Sequence, residues 1–325
     1  MARLAMKPSV RGVHHITVIC GHPQENLDFY VGVLGLRLVK RTVNQDVPGT
    51  YHLFYADGVG TPGTELTFFP WPQMASARHG VGLAVEVPLA IPTGSLSYWQ
   101  SRFEAHGVAR GEQETRFGEA ALPFRDPHGL ELALVETDDE RSWTPWQAGP
   151  VPAEHQIRGV HAVRLLQRDL APTAKALEAS MGFELLGEEA GWHRWVVDGG
   201  GSGRILEARA QPDGSRGAWG TGGVHHVAWR VADEDEQMAL RDSVRDAGLR
   251  PTMPIDRFWF RSVYFREPGG VLFELATDGP GFQRDEAIEN LGGALILPPW
   301  LESRRDEIES ALPPLDVATS LERHT

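Results

Sequence analysis

Gly222-Gly223-Val224-His225-His226-Val227-Ala228-Trp229 and Pro268-Gly269-Gly270-Val271-Leu272-Phe273-Glu274-Leu275-Ala276 decide how this chain is read. Both are short apolar runs opened by glycine or proline, the pattern of buried strands. The first carries a histidine doublet and the second a single carboxylate. An ionised Glu among Val, Leu and Phe is expensive to bury unless something pairs with it. A divalent metal is one such partner. A second doublet, Val13-His14-His15-Ile16-Thr17, lies near the N-terminus. Two imidazoles and one carboxylate are the ligand set of facial non-haem iron(II) sites.

The 325 residues suffice for two ordinary domains, and 41% hydrophobic with 23% charged residues describes a globular chain. A formal net charge of -13 gives no basic footprint and argues against nucleic acid as a partner. The single cysteine, Cys20, excludes an internal disulfide and a cysteine-based zinc site and suits a reducing compartment. Residues 1–10 lack a signal peptide's apolar core, and no apolar run reaches the ~18 residues of a membrane span. The expectation is a cytoplasmic protein with no membrane partner.

Working outward, the chain repeats itself. From Gly12 a strand leads into a helix at residues 23–34, then strands at 36–43, 51–55 and 65–69. A strand at 81–87 and a helix at 95–105 precede strands at 120–124 and 130–136. Gly159-Val160-His161-Ala162-Val163 restarts the unit, with a helix at 171–181 and strands at 183–186, 193–197 and 204–208. The fourth copy is the opening stretch, with a helix at 234–247. Gly35, Gly107, Gly182 and Gly248 end the four helices as left-handed caps. Matching strings agree, for example Phe124-Arg125-Asp126-Pro127-His128-Gly129-Leu130 with Phe265-Arg266-Glu267-Pro268-Gly269-Gly270-Val271. The sequence therefore predicts an α+β chain of four βαβββ modules, at 11–75, 79–137, 157–210 and 222–278. A linker spans 138–156. An extension at 279–325 holds an apolar patch (291–300), a charged helix (301–312) and a polar, fraying end.

A βαβββ unit repeated in pairs resembles the vicinal oxygen chelate superfamily of glyoxalase I, bleomycin-resistance proteins and extradiol dioxygenases. That resemblance implies two half-barrel domains, each made of two modules curled around one cavity. Aligned by hand, His226 corresponds to His15, Leu83 and Ala162, and Glu274 to Phe68, Ala133 and a position near Leu206. Only modules one and four then keep ligand-competent residues. They are expected to pair around a metal held by His15, His226 and Glu274, leaving modules two and three metal-free. A lone strand histidine is ordinarily a core residue bonded to a carbonyl. Two doublets at equivalent repeat positions, one matched to a buried Glu, argue for ligands. A four-ligand site like that of glyoxalase I would need a carboxylate at Phe68.

Period two places Thr17 on the face of His15 and turns His14 and His225 away, unless a bulge intervenes. Arg257 and Tyr264 precede the Glu274 strand; a place at the pocket mouth and a merely packed Tyr with a surface Arg are equally open. His52 and His22 read as structural. Hydroquinone-type ring-cleaving dioxygenases are similar in Val13-His14-His15-Ile16-Thr17, Tyr51-His52-Leu53-Phe54-Tyr55, Pro62-Gly63-Thr64-Glu65-Leu66-Thr67-Phe68-Phe69-Pro70, Gly223-Val224-His225-His226 and Leu297-Pro298-Pro299-Trp300. This resemblance implies Fe(II), with Mn(II) as a substitute, on His15, His226 and Glu274. It implies His14, Thr17, His225, Arg257 and Tyr264 around a small aromatic substrate, and O2 as co-substrate. The expected reaction is extradiol-type cleavage of a hydroquinone or catechol, behind apolar walls for which Phe68, Trp229 and Phe273 are the candidates. A ligand-sequestering protein and a glyoxalase-like lyase or isomerase are the competing readings. Assembly into a homo-oligomer is left open.

Overall fold

The computed structural model describes residues 8–138 and 140–317, so the polar end expected to fray lies mostly outside the described residues. The first unit runs β1 (Val13–Cys20), α1 (Pro23–Leu27) with a π-helical continuation over Asp28–Val33, β2 (Arg37–Asn44), β3 (Val47–Ala56) and β4 (Glu65–Pro70). The second is β5 (Leu83–Ile91), α2 (Leu96–Ala105), β6 (Glu114–Arg116), β7 (Glu119–Arg125) and β8 (Glu131–Glu136). The third opens with β9 (Gly159–Val160) and β10 (Ala162–Gln167). It continues through α3 (Leu170–Ala176), a π-helical Leu177–Met181, β11 (Glu184–Glu189), β12 (Trp192–Val196) and β13 (Ile205–Ala210). The fourth is β14 (Gly223–Val231), α4 (Glu234–Asp246), β15 (Ile255–Asp256), β16 (Arg261–Arg266) and β17 (Leu272–Thr277), and α5 (Arg305–Ala311) lies in the extension.

Strand β6 is a finding the sequence did not announce, because its Glu-Thr-Arg run is polar and mostly exposed. The four helix-ending glycines take φ of +70°, +65°, +80° and +89°, where a Cβ would be strained.

Two curled sheets result. One is ordered β15-β16-β17-β14-β1-β4-β3-β2, and the other β11-β12-β13-β10-β5-β8-β7-β6 with β9 paired to β5. Units one and four thus share a sheet through the antiparallel β1–β14 pair, and units two and three through β5–β10. The non-sequential pairing inferred from the ligand positions is the one the fold adopts. Among the described residues, no helix is long and apolar enough to cross a membrane.

Candidate metal centre and substrate pocket

Strands β1, β14 and β17 are neighbours, and each directs one polar side chain to a common point. His15 Nε2 lies 3.3 Å from His226 Nε2 and 3.5 Å from Glu274 Oε2, which is 3.0 Å from His226 Nε2. All three side chains are buried. Adjacent donors on an octahedral ion with bonds of about 2.1 Å stand roughly 3 Å apart. Glu274 Oε1 accepts from Ser262 Oγ at 2.5 Å, while the buried Oε2 accepts no hydrogen bond and faces only the imidazoles. Burial alone would raise the Glu274 carboxyl; His15 and His226 outweigh it and hold the group well below the usual carboxylate range. An orphaned carboxylate oxygen beside two imidazole nitrogens suits a divalent cation, and the donor set fits iron(II) or manganese(II).

The doublets are explained by two β-bulges. The β1–β14 register skips between Val13 and His15 and again between Thr17 and Val18, leaving His14 and His225 as the extra residues. A bulge re-aims the side chain it carries. Each first histidine now backs the second: His14 Nδ1 lies 3.0 Å from His15 Nδ1, and His225 Nδ1 lies 2.8 Å from His226 Nδ1. His14 Nε2 faces the Thr277 carbonyl at 3.2 Å, so it donates there and keeps its Nδ1 as an acceptor. His15 must then donate from Nδ1 and present a bare Nε2 to the centre. Burial, with a smaller push from the neighbouring imidazole, takes both His14 and His225 down to about 3, so both are neutral. Such orienting partners are what metal-binding histidines require.

A cavity of about 340 Å³ opens beside the triad. His225, Arg257 and Tyr264 line it. Arg257 is ion-paired to Asp46 at 2.9 Å and lies 5.7 Å from the Tyr264 ring centre. Burial first, then the Glu274 charge, push the Tyr264 phenol well above its ordinary value, so it remains a donor at neutral pH. Trp219 stacks on His225 at 4.6 Å. Thr17 stands at the donor side of His226, with Oγ1 2.8 Å from Nε2. His14 instead lines a second cavity, of about 360 Å³, which shares Trp259 and Phe260 with the first.

The apolar walls differ from expectation. Phe68, Trp229 and Phe273 belong to the main core, and the pocket is walled by Phe54, Phe69, Trp71, Trp259, Phe260 and Leu272. The reason is strand parity, since Phe273 alternates with the inward Glu274 and Phe68 with the inward Thr67. Three residues escaped the sequence reading. His52 lines the pocket and lies 2.9 Å from Thr67 Oγ1, which lies 2.7 Å from Thr17 Oγ1. Phe260 packs its ring 5.3 Å from that of His15. Period two could have found His52, which shares a strand face with Phe54.

The register also corrects the hand alignment. Each unit's last strand follows a left-handed glycine: Gly63, Gly129, Gly203 or Gly270, with φ between +82° and +114°. Four residues on stand Thr67, Ala133, Glu207 and Glu274, so Thr67 and Glu207 replace Phe68 and Leu206. Likewise the left-handed glycine matching Gly222 is Gly82, which puts Glu86 rather than Leu83 at the His226 position. Thr67 is still no carboxylate, so the first unit offers none at the position of Glu274. The second sheet, however, carries two carboxylates at ligand positions. Arginine fills the space between them: Arg164 pairs with Glu86 at 3.4 Å and Glu207 at 2.8 Å, and Arg194 with Glu207 at 2.6 Å and Glu119 at 2.7 Å. Arg116 also pairs with Glu86, and Arg164 lies 3.7 Å from the Trp192 ring centre. Guanidinium groups hold the place that a cation would take in the other sheet.

The fold and this three-donor cavity define a known class. Residues 12–134 and 159–275 match the Glyoxalase/Bleomycin resistance protein/Dioxygenase superfamily, and the chain belongs to it. It is 44% identical over 315 residues to MhqO of Bacillus subtilis (strain 168), named as a ring-cleaving dioxygenase, covering 96% of this chain and 99% of that one. It is 35% identical over 305 residues to the chlorohydroquinone/hydroquinone 1,2-dioxygenase of Sphingobium indicum, covering 92% and 95%. A crystal structure titled as a dioxygenase from Bacillus subtilis superposes with a TM-score of 0.90 at 42% identity, covering 95% and 98%.

Proposed function

We propose that the protein is a ring-cleaving dioxygenase that opens a hydroquinone- or catechol-type ring beside a hydroxyl-bearing carbon. The observation that carries this is the convergence of His15 Nε2, His226 Nε2 and the orphaned Glu274 Oε2 at the floor of an apolar cavity. These three would hold Fe(II), or Mn(II), leaving positions for a phenolic oxygen and O2. When bound, the ion supplies the redox route by which triplet O2 reacts with a singlet ring.

The chain's own groups do the rest. Phe69, Trp71, Trp259 and Phe260 sandwich a flat ring and exclude water. With Nδ1 accepting from His226, His225 presents Nε2–H to a substrate oxygen, where it donates a hydrogen bond. Tyr264 donates its phenolic proton to a second oxygen, and Arg257 stabilises negative charge there. The relatives named for ring cleavage, and for hydroquinone in particular, support the same assignment. The test is anaerobic loading with Fe(II), followed by oxygen uptake across a panel of hydroquinones and catechols. Stoichiometric uptake with ring-opened product is expected; tight binding of these aromatics by the metal-free protein without turnover would favour sequestration.

A further inference from the structure

The eight-stranded sheet leaves a seam between its edge strands, β2 on one side and β15–β16 on the other. The pocket lies along that seam, with Asn44, Gln45 and Asp46 from the β2 side and Arg257, Trp259 and Phe260 from the loop at 256–260. The extension crosses the seam. Lys40, on β2 and fully buried, donates from Nζ to Asp285 Oδ1 at 2.8 Å and also pairs with Glu286. Asp285 accepts through its other oxygen from Trp259 Nε1 at 3.0 Å. The same ammonium lies 5.2 Å from the Trp259 ring centre and 5.7 Å from that of Phe282.

The loop needs such restraint. Phe258 takes φ +74°, a left-handed conformation that a bulky side chain adopts only under constraint. Its carbonyl accepts from Arg284 Nη1 at 2.6 Å, the Trp259 carbonyl accepts from Gly281 N at 2.8 Å, and the Arg257 carbonyl accepts from Gln45 Nε2 at 2.9 Å. On either side of this strained residue stand Arg257, facing the pocket, and Phe260, packed on His14 and His15. A buried ammonium among carboxylates is a poor way to gain stability compared with apolar packing, but it fixes one geometry.

We propose that Lys40 is a positioning residue: through Asp285 and Trp259 it latches the 256–260 loop across the seam and sets where Arg257 and Phe260 stand. The extension is then a working part of the chain's own pocket. The kinetic part rests on the reaction proposed above; the structural part does not.

The test compares Lys40→Met with wild type by hydrogen exchange at 257–260, metal content and steady-state kinetics. Expected are exchange at least tenfold faster in the loop, an unchanged metal-to-chain ratio and a KM raised about tenfold, with Lys40→Arg recovering part of each. On an Arg257→Ala background the same substitution should change KM by less than about twofold. Unchanged loop exchange, or an equal loss with Arg257 absent, overturns the latch. If Lys40→Met yields no folded protein, Asp285→Asn carries the same comparison. If wild type consumes no oxygen with any of these aromatics, the reaction fails, and the exchange data alone decide the latch.

Discussion

At the residue scale, the centre is a problem of lone pairs. Three donor atoms within 3.5 Å of one another repel unless a proton or a cation sits among them. Glu274→Ala should therefore lower bound iron to below a tenth of wild type while the metal-free fold melts at or above its former temperature, as metal analysis and calorimetry would show. The backing histidines carry a pH signature. His14 and His225 bind protons near 6.5 when unfolded, but only near 3 when folded. The unfolded chain thus holds more protons between those values, and metal-free stability falls as pH drops from about 6.5 towards 3. Each contributes up to about 1.4 kcal/mol per pH unit. Denaturant titrations at pH 7, 6 and 5 should show that slope, and His225→Asn should flatten it. His15, His226 and Glu274 were legible because repetition singled them out. Thr67 and His52 were not, since a threonine and a lone histidine look like any strand residues until register is known.

At the element scale, alternation and glycine punctuation made almost every strand readable, and apolar runs predicted β14 and β17 directly. What escaped were features set by pairing partners. The β1–β14 bulges depend on the antiparallel neighbour, and β6 has no pattern of its own. The arginine-filled centre of the nine-stranded sheet escaped because the alignment slipped by one residue or more, hiding Glu86 and Glu207. That network makes its own prediction. Arg164→Met removes one of two guanidinium partners from Glu86 and from the buried Glu207 and should destabilise the protein by about 1–3 kcal/mol, measured by denaturant unfolding. Arg164→Met combined with Glu86→Gln and Glu207→Gln should recover most of the loss.

At the scale of the whole molecule, pairing first with fourth and second with third makes the two ends of the chain interdependent. Fragments 1–137 and 157–325 should each fail to retain iron when loaded alone. Mixed under refolding conditions they should regain it, with iron per complex approaching one by metal analysis. This architecture was predictable because His15 needed a partner that only the last unit supplied. The route of the extension across the seam was not, because its contacts run through Lys40, Asp285 and Trp259, which no periodicity links.

The interleaved order has a consequence for synthesis. His15 and His226 are 211 residues apart in the chain, and Glu274 follows later still. At translation speeds of about 5–20 residues per second, the first imidazole waits roughly 10–40 s for the second to leave the ribosome. The arginine-centred middle of the protein, needing no ion, emerges during that interval and is free to fold. Closure of the site formed by His15, His226 and Glu274 is thus deferred to the end of translation, when the last of the three emerges.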